Sequence, residues 1–209
     1  MKYYTFPVSP NCRKVAAVLN HLNIAHDVQV IDLTKDDAEA PAFIAVNPHG
    51  RVPALEDGDL KLWESNTLMR YLAERGGSGS DLYPADAKAR AEISKWMDWQ
   101  LAHLGSACGG MAYENFVKGL FGGGGPDAAA VAEAESDFHD LMPALESHLA
   151  TRKWLVGEKP TLADFSIGSL FQFAVPGKYP MAKYGNVKAW LGRLEGLAAW
   201  KATAPQMMG

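Results

Sequence analysis

KYYTFPVSPNCRKVAAVLNHL, running from Lys2 to Leu22, is the stretch that decides the fold. Lys2–Phe6 is rich in aromatic residues and predicts a short buried strand. Pro7–Asn11 carries two prolines and reads as a turn. Val15, Ala16, Val18, Leu19 and Leu22 then recur at helical spacing, so Arg13–Leu22 is a helix. Further along, Asp27–Leu33 is a second strand, with Val28, Val30 and Leu33 in near alternation. Lys35–Val46 is looser and partly helical, and Asn47–Gly50 is a turn. Val52–Leu55 is a third strand interrupted by Pro53. Asp57-Gly58-Asp59 is a hairpin turn returning through Leu60–Trp63. Ser65–Arg75 is a helix with Leu68, Met69 and Leu72 on one face.

A strand–helix–strand unit implies a parallel pair, and the later hairpin an antiparallel one. Few small folds combine the two in that order, and the thioredoxin fold is the main one. Gly76–Ser80 (GGSGS) has linker composition and leads through Asp81–Asp86 to a helix start. Beyond it Ala87–Leu104, Asp127–Leu149, Leu162–Ala174 and Asn186–Trp200 all show helical periodicity. The expectation is an α/β thioredoxin-like N-terminal domain over residues 1–80, followed by an all-α C-terminal helical bundle domain over residues 87–209.

The bulk properties fit two modest domains. The 209 residues are 48% apolar, enough for a sizeable core, and carry a net charge of -4 with acids and bases interspersed. No basic patch points to nucleic acid. No run approaches the ~18 apolar residues of a membrane span, so no membrane partner is expected. MKYYTFPVSP does not read as a signal peptide. Cys12 and Cys108 are too few for a disulfide framework, which favours a reducing cytoplasm. The six histidines show no paired metal-ligand spacing, and no metal is expected.

Three segments carry chemistry. Ser9-Pro10-Asn11-Cys12 lies between a strand and a helix start, where unpaired backbone N–H groups favour an anion. Redox members of the thioredoxin class hold Cys-x-x-Cys here. With Ser9 in the first position, no disulfide can form. A serine hydroxyl donating to an incoming thiolate lowers that thiol's pKa; the same hydroxyl can also simply cap the helix. Arg51-Val52-Pro53 breaks a strand: if the Val52–Pro53 bond is cis, it leaves the Val52 backbone open to an added peptide strand, and otherwise Pro53 is a plain edge-strand proline. Glu64-Ser65-Asn66 opens another helix, with Ser65 a candidate N-cap. A helix N-terminus beside a carboxylate suits the α-amino-acid end of a γ-glutamyl compound.

The set S-P-N-C-R-K-V, N-P-H-G-R-V-P-A-L and W-E-S-N-T-L-M-R-Y-L resembles the amino-terminal domain of cytosolic glutathione transferases. The resemblance implies that Ser9 serves the thiol, that Val52 before cis-Pro53 pairs with the cysteinyl backbone, and that Glu64 and Ser65 bind the γ-glutamyl end. Arg51 fits a position reaching the glycyl carboxylate, and His49 lines the site. Arg13 matches the basic residue after the turn. Val156-Gly157 through Pro160-Thr161-Leu162-Ala163-Asp164 resembles the family's segment before a buried helix, with Thr161 and Asp164 spaced as a reciprocal cap. Ser9 favours theta-, phi- or zeta-like serine groups, or a related bacterial class. Bacterial relatives that rely on a neighbouring asparagine make Asn11 a second thiolate donor, and Cys12 offers a mixed-disulfide alternative. The implied chemistry is attack of the glutathione thiolate on a small hydrophobic electrophile, or peroxide reduction, by a homodimer. A glutathione-dependent disulfide oxidoreductase and a non-catalytic ligand binder are the rivals.

The electrophile pocket is expected between the domains. Trp96, Trp99 and His103 fall at i, i+3, i+7 on one helical face, a stripe that more often packs than binds. After a Gly-rich break, Met111, Tyr113 and Phe116 are pocket candidates, with His103 beside them. Gly122–Gly125 has no following Lys-Ser/Thr and reads as an interhelical loop, not a phosphate loop.

Overall fold

The computed structural model describes residues 1–76 and 81–205. Most of the GGSGS linker therefore lies outside the described residues. The chain forms two compact units, Met1–Ala85 joined by Gly196–Gly209, and Asp86–Glu195.

In the first unit β1 (Lys2–Thr5) leads into α1 (Pro10–His21), then β2 (Asp27–Val30), a single helical turn α2 (Pro41–Ile44), β3 (Ala54–Asp57), β4 (Leu60–Trp63) and α3 (Ser65–Arg75). The sheet order is β2-β1-β3-β4. The β1–β2 pair is parallel, with Tyr3 opposite Val28, and β1–β3 is antiparallel, with Tyr3 opposite Leu55. This is the thioredoxin-like order expected from the sequence. Val15, Val18, Leu19, Leu68, Met69 and Leu72 are fully buried. Each such side chain contributes ~1.5–3 kcal/mol on leaving water, which makes this cluster a principal stabiliser of the unit.

Local boundaries differ from the expected ones for identifiable reasons. β3 begins at Ala54, not Val52, because Pro53 has no N–H for the ladder. β2 stops at Val30, because Asp32 accepts from the Thr34 N–H at 3.0 Å and turns the chain. β2 is also an edge strand, and Val28 and Val30 are more than half exposed despite their alternation. The helix expected over Asn186–Trp200 is two helices, Gly185–Glu195 and Ala198–Lys201, and the chain from Gly196 onward belongs to the first unit. There the Arg13 guanidinium stacks 4.2 Å over the Trp200 ring, a structural use of that arginine.

The second unit is helical: α4 (Ala87–Trp99), α5 (Gly105–Ala112), α6 (Lys118–Leu120), α7 (Ala128–Leu149), α8 (Leu162–Leu170) and α9 (Gly185–Glu195), with Ala198–Lys201 following as α10. Asp86 and Asp127 cap α4 and α7, accepting from Ala89 N–H at 2.8 Å and Ala129 N–H at 2.9 Å. Two π-helical segments, Gln100–Leu104 and Tyr113–Val117, flank α5. Each admits an extra residue to the helix and rotates the later turns about its axis. The expected one-face stripe of Trp96, Trp99 and His103 is interrupted by the first of them: Trp96 is buried against Trp99 and His148, while His103 is exposed.

α8 and α9 pack closely because Gly168 has no side chain. A Cβ there would lie 2.2 Å from Leu194 Cδ2. Gly168→Ala is expected to lower the unfolding free energy by ~1–3 kcal/mol through overpacking. Urea unfolding measures it, and an unchanged midpoint would contradict so tight a contact. No helix is long and apolar enough to cross a membrane among the described residues.

Candidate functional site in the first unit

Pro10 opens α1 because its missing N–H costs nothing at the first helical position and its φ is already set. Ser9 is the N-cap, with its Oγ accepting from the Cys12 N–H at 3.3 Å. That bond uses an oxygen lone pair and leaves the hydroxyl proton to be donated, so capping and thiolate donation are compatible. Asn11 projects from the first turn of α1 and is exposed. Ser65 donates to Asn11 Oδ1 at 3.3 Å, which ties the N-terminus of α3 to that of α1. Both helices run eleven residues or more, and their dipoles favour negative charge at this junction.

The sequence assigned the α3 cap to Ser65. The structure corrects this: Ser65 is the first helical residue, and the cap position is Glu64. Glu64 makes no capping bond and holds φ at 71°, the left-handed region that a residue with a Cβ adopts at a cost. Its side chain is exposed.

Val52–Pro53 is cis. Val52 precedes the β3 ladder, so its N–H and C=O lie outside the sheet. Its side chain packs against the cluster of Ile31, Phe43, Val46 and Ala54. Arg51 and His49 are exposed on the preceding turn, and the His49 ring meets Trp63 edge-on at 4.8 Å.

Three residues that sequence reading passed over hold this arrangement. Asn47, only 2% exposed, donates to the Arg51 carbonyl at 2.6 Å and accepts from the His49 N–H at 3.1 Å, clamping the turn. Lys14 is buried on α1 and donates to Asn66 Oδ1 on α3 at 2.7 Å. Its position four residues before Val18 was the available signal, since i and i+4 share a helix face. Burial pulls the Lys14 pKa down to about 7, with Glu64 pulling it back up and Arg70 adding to the fall.

This predicts a pH effect. Unfolded lysine titrates near 10.5. Between about 7 and that value the unfolded chain holds a proton that the folded chain lacks. The group therefore opposes folding fully below the lower pKa, and ceases to do so above the upper one. Relative to Lys14→Met, the wild type should gain stability as pH rises across this window, by up to ~5 kcal/mol. Urea unfolding of both proteins near pH ~6.5 and ~9.5 checks it; parallel pH profiles would sink it.

Cys12 is buried, and its Sγ accepts from the Phe6 N–H at 3.4 Å. Burial pushes its thiol pKa up, against weaker lowering by Phe6, Ser9, Thr5 and Tyr3. A thiol so placed makes a poor nucleophile. In the second unit Tyr113 is 52% exposed, and Phe116 packs against Phe173 at 5.5 Å. Met111 is a correction: it is 1% exposed and belongs to the interior, so it offers no wall to a ligand. The loop through Gly122–Gly125 turns on two left-handed glycines, Gly122 and Gly124.

A sheet in this order, with a cis-proline before β3 and two helix N-termini meeting at Asn11 and Ser65, is a thioredoxin-like arrangement, and a helical unit follows it in the chain. Family models for the glutathione S-transferase N-terminal and C-terminal domains match residues 4–79 and 128–200. Glutathione S-transferase 3 of Zea mays is 35% identical over 207 residues, 97% of this chain and 92% of that protein. Glutathione transferase F7 of Populus trichocarpa superposes with a TM-score of 0.90 at 28% identity, covering 100% of this chain and 99% of that one. The theta-class glutathione S-transferase of Xanthomonas axonopodis pv. citri, solved with glutathione bound, gives 0.87 at 27% identity, covering 100% and 97%. The chain belongs to the glutathione S-transferase family.

Proposed function

We propose that the protein binds glutathione in its first unit and transfers the thiolate to a small apolar electrophile, or uses it to reduce peroxides. The observation that carries this is the Ser9 hydroxyl at the N-terminus of α1, next to the Ser65–Asn11 hydrogen bond. A thiolate arriving there meets one hydroxyl donor and a helix dipole, and both favour the charged form. Glu64 and Ser65 take the γ-glutamyl end, the Val52 backbone takes the cysteinyl amide, and Arg51 with His49 takes the glycyl carboxylate. In the second unit, exposed Tyr113 and half-buried Phe116 offer aromatic surface to the electrophile, with His103 at the preceding π segment.

Among theta-, phi- and zeta-like readings, the phi-class plant relatives favour a phi-like serine enzyme and give no support to a specifically bacterial class. A cytoplasmic homodimer fits the family. Trp63, 37% exposed on β4, offers apolar surface to such an interface. The burial of Cys12 counts against a disulfide oxidoreductase built on that thiol.

Calorimetric binding of glutathione, paired with a pH titration of thiolate ultraviolet absorbance, tests the proposal. Binding with a thiol pKa well below ~8.5 supports it. Binding without that fall indicates a ligand carrier, and no binding overturns the reading.

A further inference from the structure

The second unit carries a cleft of about 350 Å³ where the end of α7 meets one face of α9. Ala150, Arg152 and Lys153 form one side, and Asn186, Ala189 and Arg193 the other. Asn186, Ala189 and Arg193 are spaced i, i+3, i+7, so a single helical face is presented. Three cations thus line the cleft, and no acidic side chain does so among the described residues. In a chain where 24 acids outnumber 20 bases, this is a local concentration of positive charge that attracts anions.

Both arginine heads are held in place. Arg152 Nη1 donates to the His148 carbonyl at 3.1 Å, which also caps the end of α7. Arg193 Nε donates to the Lys153 carbonyl at 3.0 Å. A guanidinium has five N–H donors, so one bond to a carbonyl fixes the head and leaves a fork of donors for a ligand. Glu146, the acid beside Asn186, has both carboxylate oxygens engaged by the N–H groups of Asn186 and Val187, at 2.9 and 3.0 Å. Glu92 also feels Arg152 electrostatically, but its oxygen is bonded to Lys95 at 2.5 Å.

We propose that this cleft is a binding site for small oxyanions of the phosphate or sulfate type, free or as esters, independent of the glutathione site. Planar arginine forks match tetrahedral oxyanions bidentately, and Lys153 adds a mobile point charge. None of its residues is among those assigned to glutathione, so the inference stands whether or not the transferase reading does.

The test is titration of the full chain with inorganic pyrophosphate by calorimetry at low ionic strength, repeated with ADP. One pyrophosphate per chain is expected, with affinity falling about tenfold or more in Arg152→Ala/Arg193→Ala. Lys153→Gln leaves the carbonyl that holds Arg193 in place. It should weaken binding several-fold and flatten its salt dependence, which keeps the proposal testable if the double variant does not fold. Equal affinity for ADP and pyrophosphate supports a free oxyanion as the natural ligand; tighter ADP binding supports an ester. No pyrophosphate binding by the wild type overturns the proposal. So does binding that survives these substitutions and is lost in Arg51→Ala.

Discussion

Asp164→Ala should lower the unfolding free energy by about 3–5 kcal/mol, enough to threaten the fold of the second unit. The Asp164 carboxylate is fully buried and collects four hydrogen bonds. It accepts from the Leu155 N–H at 3.0 Å, the Thr161 N–H at 2.8 Å, the Thr161 hydroxyl at 3.1 Å and the Trp190 indole N–H at 2.8 Å. Alanine would strand three buried N–H donors at once, each costing ~1–3 kcal/mol, partly recovered by relaxation or water entry. Burial raises the carboxyl's pKa, while those same donors push it down. Asp164→Asn, which keeps one acceptor oxygen, should cost roughly half as much. Urea unfolding of the three proteins orders them; an alanine variant within ~0.5 kcal/mol of wild type would show that the network holds nothing together.

A second large effect is expected at Ser9. Ser9→Ala should reduce kcat/KM with glutathione near neutral pH by ~10²-fold, in the range seen when a single donor to a developing anion is removed. The bound thiol's pKa should rise by ~1–2 units, because a hydrogen bond to a charged acceptor is worth ~1.5–3 kcal/mol. The same substitution removes the α1 cap, which costs only ~1 kcal/mol of stability. Glutathione affinity and unfolding should therefore change far less than turnover. Asn11→Ala is the comparison, since Asn11 sits in the same turn and is bonded to Ser65. If Ser9→Ala keeps full activity and Asn11→Ala loses it, the donor is Asn11. Cys12→Ser should leave transfer essentially intact, because that thiol faces the interior.

Much of this was readable from local chemistry. The strand–turn–helix of Lys2–Leu22, the hairpin at Asp57-Gly58-Asp59 and the Thr161–Asp164 pairing each rest on residues a few positions apart. Propensity and capping act at that range. The Ser9 cap was legible for the same reason, whereas the cis Val52–Pro53 bond was implied only by the family resemblance. What was not legible has the opposite cause. Met111, a pocket candidate by its place after the Gly-rich break, is interior, and the alternation of Val28 and Val30 does not show that their strand lies on an open edge. Exposure depends on what packs across from a residue, which its neighbours in sequence do not state. The π segment at Gln100–Leu104 likewise shifts His103 out of the phase that an α-helical count predicts.

By itself, then, the sequence determined the element order, the parallel and antiparallel pairing, and the chemical identity of the residues at two helix starts. Tertiary structure alone decided that Asn11 and Ser65, 54 positions apart, share a hydrogen bond. It alone decided that Glu64 takes a left-handed conformation, that a lysine on α1 is sealed against Asn66, and that three cations line one cleft without an acid among the described residues. The physical reason is range. Backbone preference is written into each short segment, whereas burial, desolvation and long-distance hydrogen bonds exist only once those segments are packed.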